Sequence, residues 1–165
     1  MATSISAAVD PAIFAAFGLP ATSEARPFGS GHINRTYLVR SDETARQWVL
    51  QKINTYVFTK PWAIAQNLQE AADYLEAHQP DYLFIRPIAT LTGDLLYETQ
   101  DEHWRLTPFV PNSYSINEAT APEQAYEAAR QFGRLARNLD GMDLHRCTPT
   151  IPDFHNLRWR FNQFE

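Results

Sequence analysis

Cysteine is nearly absent. Cys147 stands alone among 165 residues, so the chain can make no internal disulfide, and nothing in it demands an oxidising compartment. A lone thiol without a nucleophile signature reads as a small packed hydrophobe. Excess positive charge is absent too. Lys and Arg number 14 against 19 Asp and Glu, a formal net charge of −5, and the two signs are interspersed. A nucleic-acid partner needs a basic face, so that class is excluded. No apolar run reaches the length of a membrane span. The Ala-rich stretch Met1 to Pro20 carries no Lys or Arg and is interrupted by Asp10-Pro11, unlike a secretory signal. The expected location is the cytoplasm. The histidines and Cys147 show no metal-ligand spacing.

What is present reads as one domain with a real core. Asp10-Pro11, then Ile13, Phe14, Phe17 and Gly18, predict a short capped helix. Ala25 to Phe28, Thr36 to Val39 and Gln47 to Asn54 read as strands, with Ser41 to Thr44 as a turn. Pro61 to His78 is helical in period, with Ile64, Leu68, Ala71, Ala72 and Leu75 on one face. Phe84 to Thr90, Leu95 to Thr99 and Trp104 to Phe109 are three further extended pieces. After a Pro- and Ser-containing connector, Thr120 and Glu123 match a capping box ahead of a second long helix that Gly141 ends. This order predicts an α+β fold: an antiparallel sheet with a helix packed on it.

Gly29-Ser30-Gly31-His32-Ile33-Asn34 lies between two strand patterns. A Gly-x-Gly pair lets backbone N–H groups approach a phosphate, though by itself it is equally a hairpin turn. A dinucleotide-binding loop would run into a helix, and a P-loop would end in Lys-Ser or Lys-Thr. Neither is found here. A Gly loop joining strand to strand is the kinase arrangement. Asn34 occupies the third glycine's place, and asparagine tolerates left-handed geometry.

Phe28 to Asn34, Val49-Leu50-Gln51-Lys52-Ile53-Asn54, Val57-Phe58, Asn67, Phe132-Gly133 and Thr150 to His155 together resemble the aminoglycoside phosphotransferase and choline kinase-like superfamily. The resemblance is nearest to its N-acetylhexosamine 1-kinase branch. Arg35 and Asn156 stand where that branch usually has Asp. The resemblance implies a protein-kinase-like N-terminal lobe over 25–110, after a lead-in over 1–24. It also implies a hinge connector and the start of a helical C-terminal lobe over 111–165. It implies ATP and magnesium as cofactors and a small sugar as acceptor.

Candidate nucleotide ligands are Gly29, Ser30, Gly31, His32 and Asn34 in the loop, Val49 as adenine roof, and Phe109 and Val110 at the hinge. Kinases hold the α- and β-phosphates with a third-strand lysine. The resemblance puts Gln51 in that place, whereas Lys52 is the better ligand chemically, and successive strand residues face opposite sides. Both stand as candidates. His155 is the candidate for the acceptor pocket. None of the five histidines is followed two residues later by Asp, so the expected catalytic loop and magnesium ligands are missing. The abrupt end after Trp159, Phe161 and Phe164 suggests a truncated second lobe. Those aromatics would then lie uncovered, favouring self-association. The remaining alternative is a non-catalytic nucleotide-binding or regulatory module. A sulfatase-type hydrolase is disfavoured, because Arg146-Cys147-Thr148-Pro149 is not a Cys-x-Pro-x-Arg motif.

Overall fold

Asp10 accepts a hydrogen bond from the Ala12 N–H at 2.9 Å and so caps helix α1, Pro11–Ala16. Gly18 follows the helix with φ of 65°, a left-handed conformation glycine adopts without strain. A side chain there would also come within 2.9 Å of Leu91 Cδ2. These observations come from a computed structural model that describes residues 9–165.

Strands β1 (Glu24–Pro27), β2 (Arg35–Ser41), β3 (Arg46–Lys52), β4 (Tyr97–Glu98) and β5 (His103–Pro108) form one sheet in the order β1-β2-β3-β5-β4. Every pairing is antiparallel. The register places Leu50 between Tyr37 and Leu106, and Gln51 between Thr36 and Arg105. Side chains alternate in a strand, so the sheet has two distinct faces. One carries Val39, Leu50, Trp104 and Leu106, which pack with Ile13, Phe14 and Phe17 of the α1 segment into the core. The other carries Thr36, Leu38, Val49, Gln51, Arg105 and Thr107.

Two expected strands shrink. Phe84 to Thr90 contributes only a single bridge, Ile88 to Leu106. Pro87 has no N–H to donate, which interrupts a ladder there. Leu95 to Thr99 shortens to the two residues of β4.

Helix α2, Pro61–His78, has the bounds its periodicity predicts. Polar ties join it to the later chain. The Asn67 side chain donates to the Thr148 carbonyl at 2.8 Å and accepts from the Thr148 N–H at 2.9 Å. The Tyr74 hydroxyl donates to the Asp140 carbonyl at 2.7 Å. Helix α3, Pro122–Asn138, starts differently from the expected capping box. Ala121 is the cap, so Glu123 falls one position short of the place from which an acid can reach back. Gln124 fills that place and accepts from the Thr120 N–H at 2.8 Å. Neither α3 nor α4, Leu157–Phe164, has a buried residue. Among the described residues no helix is long and apolar enough to cross a membrane.

Leu50 is fully buried, so Leu50→Ala should cost about 2–5 kcal/mol of stability through lost transfer energy and a cavity. Tyr56→Ala, at a residue 93% exposed, should change stability by less than about 0.5 kcal/mol. Urea denaturation of the two variants checks both values.

Candidate functional site

The Gly loop leaves β1 at Pro27 and re-enters the sheet at Arg35. The Phe28 N–H donates to the Thr36 carbonyl at 2.9 Å, closing the base of the hairpin. Gly29 has φ of 79°, and a Cβ added at Gly29 or Gly31 would meet nothing within 4 Å. Gly31 therefore answers no packing need. The loop lines a cleft of about 580 Å³ with Phe28, His32, Asn34, Thr36 and Asn54. Asn34 is not left-handed, contrary to the expectation for it. Its side chain accepts from the Asn54 N–H at 2.9 Å, tying the end of the loop to the end of β3. The Ser30 hydroxyl donates to Asn117 Oδ1 at 2.8 Å and anchors the loop tip to the connector.

Beside the loop, a polar row crosses the sheet on the face away from α1. The Gln51 amide donates to Thr36 Oγ1 at 3.1 Å, and Arg105 Nη2 donates to Gln51 Oε1 at 2.6 Å. The next row on that face is Leu38, Val49 and Thr107. Phe28 and Phe109 meet edge to face, with ring centroids 6.1 Å apart. The Phe109 N–H donates to the Gln47 carbonyl at 3.2 Å, and the Val110 carbonyl accepts from Ser113 Oγ at 2.6 Å. Among the described residues the Val110 N–H has no backbone partner.

Lys52 lies on the opposite, α1-covered face, where its amine bonds Glu102. Glu102 also accepts from the Trp104 indole at 2.9 Å. On α2, Glu70 pairs with Arg146 and Glu76 with Arg86 rather than with Lys52 or Arg105.

The model of the phosphotransferase enzyme family (APH) matches residues 24–165. This chain belongs to that family. It is similar to a spectinomycin phosphotransferase solved in complex with ADP and spectinomycin, at 15% identity and a TM-score of 0.48. The match covers 87% of this chain and 42% of the spectinomycin phosphotransferase, so the chain spans less than half of that protein's length.

The phosphotransferase-family sheet gathers most of the candidate residues on its loop side. Gly29, Gly31, His32 and Asn34 line the cleft, and Gln51 and Val49 share the adjoining face. Arg35 lines the cleft from the other side of β2. His155 stands apart, in the turn before α4, edge-on to Phe154 at 4.9 Å. Asn156 caps α4 by accepting from the Trp159 N–H at 3.1 Å. Among the described residues no three His, Cys, Asp or Glu side chains cluster as metal ligands. Arg105 carries no local signal in the sequence; only the β3–β5 register, joining positions 54 residues apart, brings it to Gln51.

The Glu102 carboxyl is held below its ordinary value of 4.5 chiefly by the Lys52 hydrogen bond; burial opposes this, and the Trp104 indole and the charges of Lys52 and Arg35 add to the lowering. A depressed carboxyl stabilises the fold above its unfolded-state value and loses that contribution as pH falls through the folded value. The stability gap between the native chain and Glu102→Gln should therefore be widest near neutrality. It should narrow progressively as pH falls below about 4, as chemical denaturation across pH would read out. Both partners are about one-third exposed, so the gap is modest.

Proposed function

We propose that this chain is the nucleotide-holding part of an ATP-dependent small-molecule kinase of the N-acetylhexosamine 1-kinase type. The observation that carries this reading is the Gly loop hairpin, whose glycines face open space over a cleft beside the Gln51 row. Backbone N–H groups in such a loop can meet phosphate oxygens at close range. In this reading 25–110 is the nucleotide lobe and 111–165 the hinge and first helices. Gly29, Ser30, Gly31, His32 and Asn34 surround the phosphates. Val49 roofs the base, and the Val110 N–H with the Phe109 segment contacts its edge. Gln51, rather than the Glu102-bound Lys52, faces the phosphates.

The acceptor is a small sugar, with His155 on its side of the molecule, and the protein works in the cytoplasm. Among the described residues no three His, Cys, Asp or Glu side chains form a donor set for magnesium. The chain also has no His-x-Asp loop. The alternative reading is a non-catalytic nucleotide-binding or regulatory module of the same fold. Proton abstraction by a positioned base contributes about a hundredfold to ten-thousandfold, so the 165-residue chain should bind ATP without transferring its phosphoryl group.

Gly31→Val separates folding from binding. The new side chain meets no protein atom within 4 Å of its Cβ but stands where phosphate would approach. Thermal melting should be unchanged while ATP affinity by calorimetry falls at least about tenfold. Equal affinity in the two proteins would remove the loop from the site. Turnover with N-acetylhexosamines at about 1–100 per second, typical of kinases, would overturn the non-catalytic expectation.

The exposed aromatics of α4 add a partner to this reading. Trp159, Phe161 and Phe164 are 40%, 59% and 89% exposed, a patch of the kind that associates. Sedimentation should show concentration-dependent self-association that Phe161→Ser with Phe164→Ser abolishes. A sharp monomer at high concentration would refute this.

A further inference from the structure

Arg105 is a cation without a counter-charge. Its guanidinium has several N–H donors, of which Nη2 is bonded to Gln51 at 2.6 Å. Its Nε is buried and has no partner. Lys52, Arg86, Arg130 and Arg146 each pair with an acid, whereas no acid pairs with Arg105 among the described residues. Residues 1–8 contain no Asp or Glu that could serve. Burial pushes the guanidinium below arginine's ordinary value, yet arginine stays charged in proteins. Holding such a charge away from water is costly unless an anion completes it. The residue is half-buried rather than sealed, so an anion can reach it.

Its position says which anion. Arg105 continues the row Thr36–Gln51 on the face away from α1, and Thr36 lines the cleft beneath the Gly loop. We propose that Arg105 is the phosphate-binding cation of this nucleotide site, carried on β5 in place of the lysine that kinases carry on the third strand. The inference rests on the nucleotide reading above and deepens it.

Gln51 is then a positioning residue. Its amide nitrogen is committed to Thr36 and its oxygen to Arg105, which fixes the plane of the guanidinium. The guanidinium N–H groups not bonded to Gln51 remain as charged donors for phosphate oxygens. The third-strand side chain has changed from donor of charge to holder of a neighbouring charge. The ligand class follows: a nucleoside di- or triphosphate, discriminated from the bare nucleoside by the Arg105 contact.

The test is calorimetry of the 165-residue chain with ATP, ADP and adenosine, using Arg105→Gln and Arg105→Lys. Arg105→Gln should weaken ATP and ADP about tenfold or more, the scale of a lost charge-assisted bond, and leave adenosine within about twofold. Arg105→Lys, which keeps the charge and loses the fork, should recover part of the loss. Without nucleotide, Arg105→Gln should melt no lower than the native chain, because an uncompensated buried charge has been removed.

ATP binding unchanged in Arg105→Gln would overturn the assignment while leaving the nucleotide reading intact. So would a fall in apo melting temperature with ATP and adenosine weakened alike, which marks a structural arginine. A phosphate-selective loss in Lys52→Met alone would return the cation to the third strand. A native chain that binds neither ATP nor adenosine would sink the nucleotide reading and this assignment with it.

Discussion

The register of β3 between β2 and β5 is the constraint on which the rest depends. Antiparallel pairing fixes Leu50 between Tyr37 and Leu106 and, one residue later, Gln51 between Thr36 and Arg105. One strand therefore serves the α1-side core with its even side and the opposite face, which adjoins the cleft, with its odd side. A slip of one residue would exchange the two sets, driving Gln51 into the hydrophobic core and Leu50 onto the opposite face. Burial of Val39, Leu50 and Leu106 against Ile13, Phe14 and Phe17 of the α1 segment forbids that slip. The α1-covered face thus sets the geometry of the polar row on the other.

The two faces also divide the sheet's charges by how they are satisfied. Lys52 and Glu102 neutralise one another beside Trp104 on the core side, a local pair that needs nothing else. Arg105 has only an amide for a partner. Such an arrangement is expensive for folding alone, and through Gln51 it is tied to Thr36, which lines the cleft under the glycine loop. Stability and binding pull differently on these neighbouring strands.

The later helices are held by polar ties more than by apolar burial. Asn67 brackets Thr148 through both hydrogen-bonding groups of its amide, and Tyr74 holds the Asp140 carbonyl. The apolar stripe of α3 meanwhile buries nothing, with Phe132 74% exposed. Its regular spacing is that of a helix built to be covered.

Much of this was legible in the chain itself. The Asp10-Pro11 cap, the 3.6-residue period of Pro61 to His78, and a Gly loop bounded by strand-forming residues are local signals, and local physics decided them. Where a local rule misled, a neighbour was responsible: Pro122 follows an Ala121 cap, so Gln124 replaces Glu123 in the reaching position, and Pro87 reduces an expected strand to one bridge. The family resemblance likewise followed from ordered short matches. What the sequence could not decide was which side chains on distant strands share a face and meet. Gln51 and Lys52 are equal candidates in one dimension. Only the packing of α1 against one side of the sheet separates them, and only the pairing of β3 with β5 brings Arg105, unremarkable in the sequence, to Gln51. Pairing across such a separation depends on the whole sheet closing its core, so no local pattern encodes it.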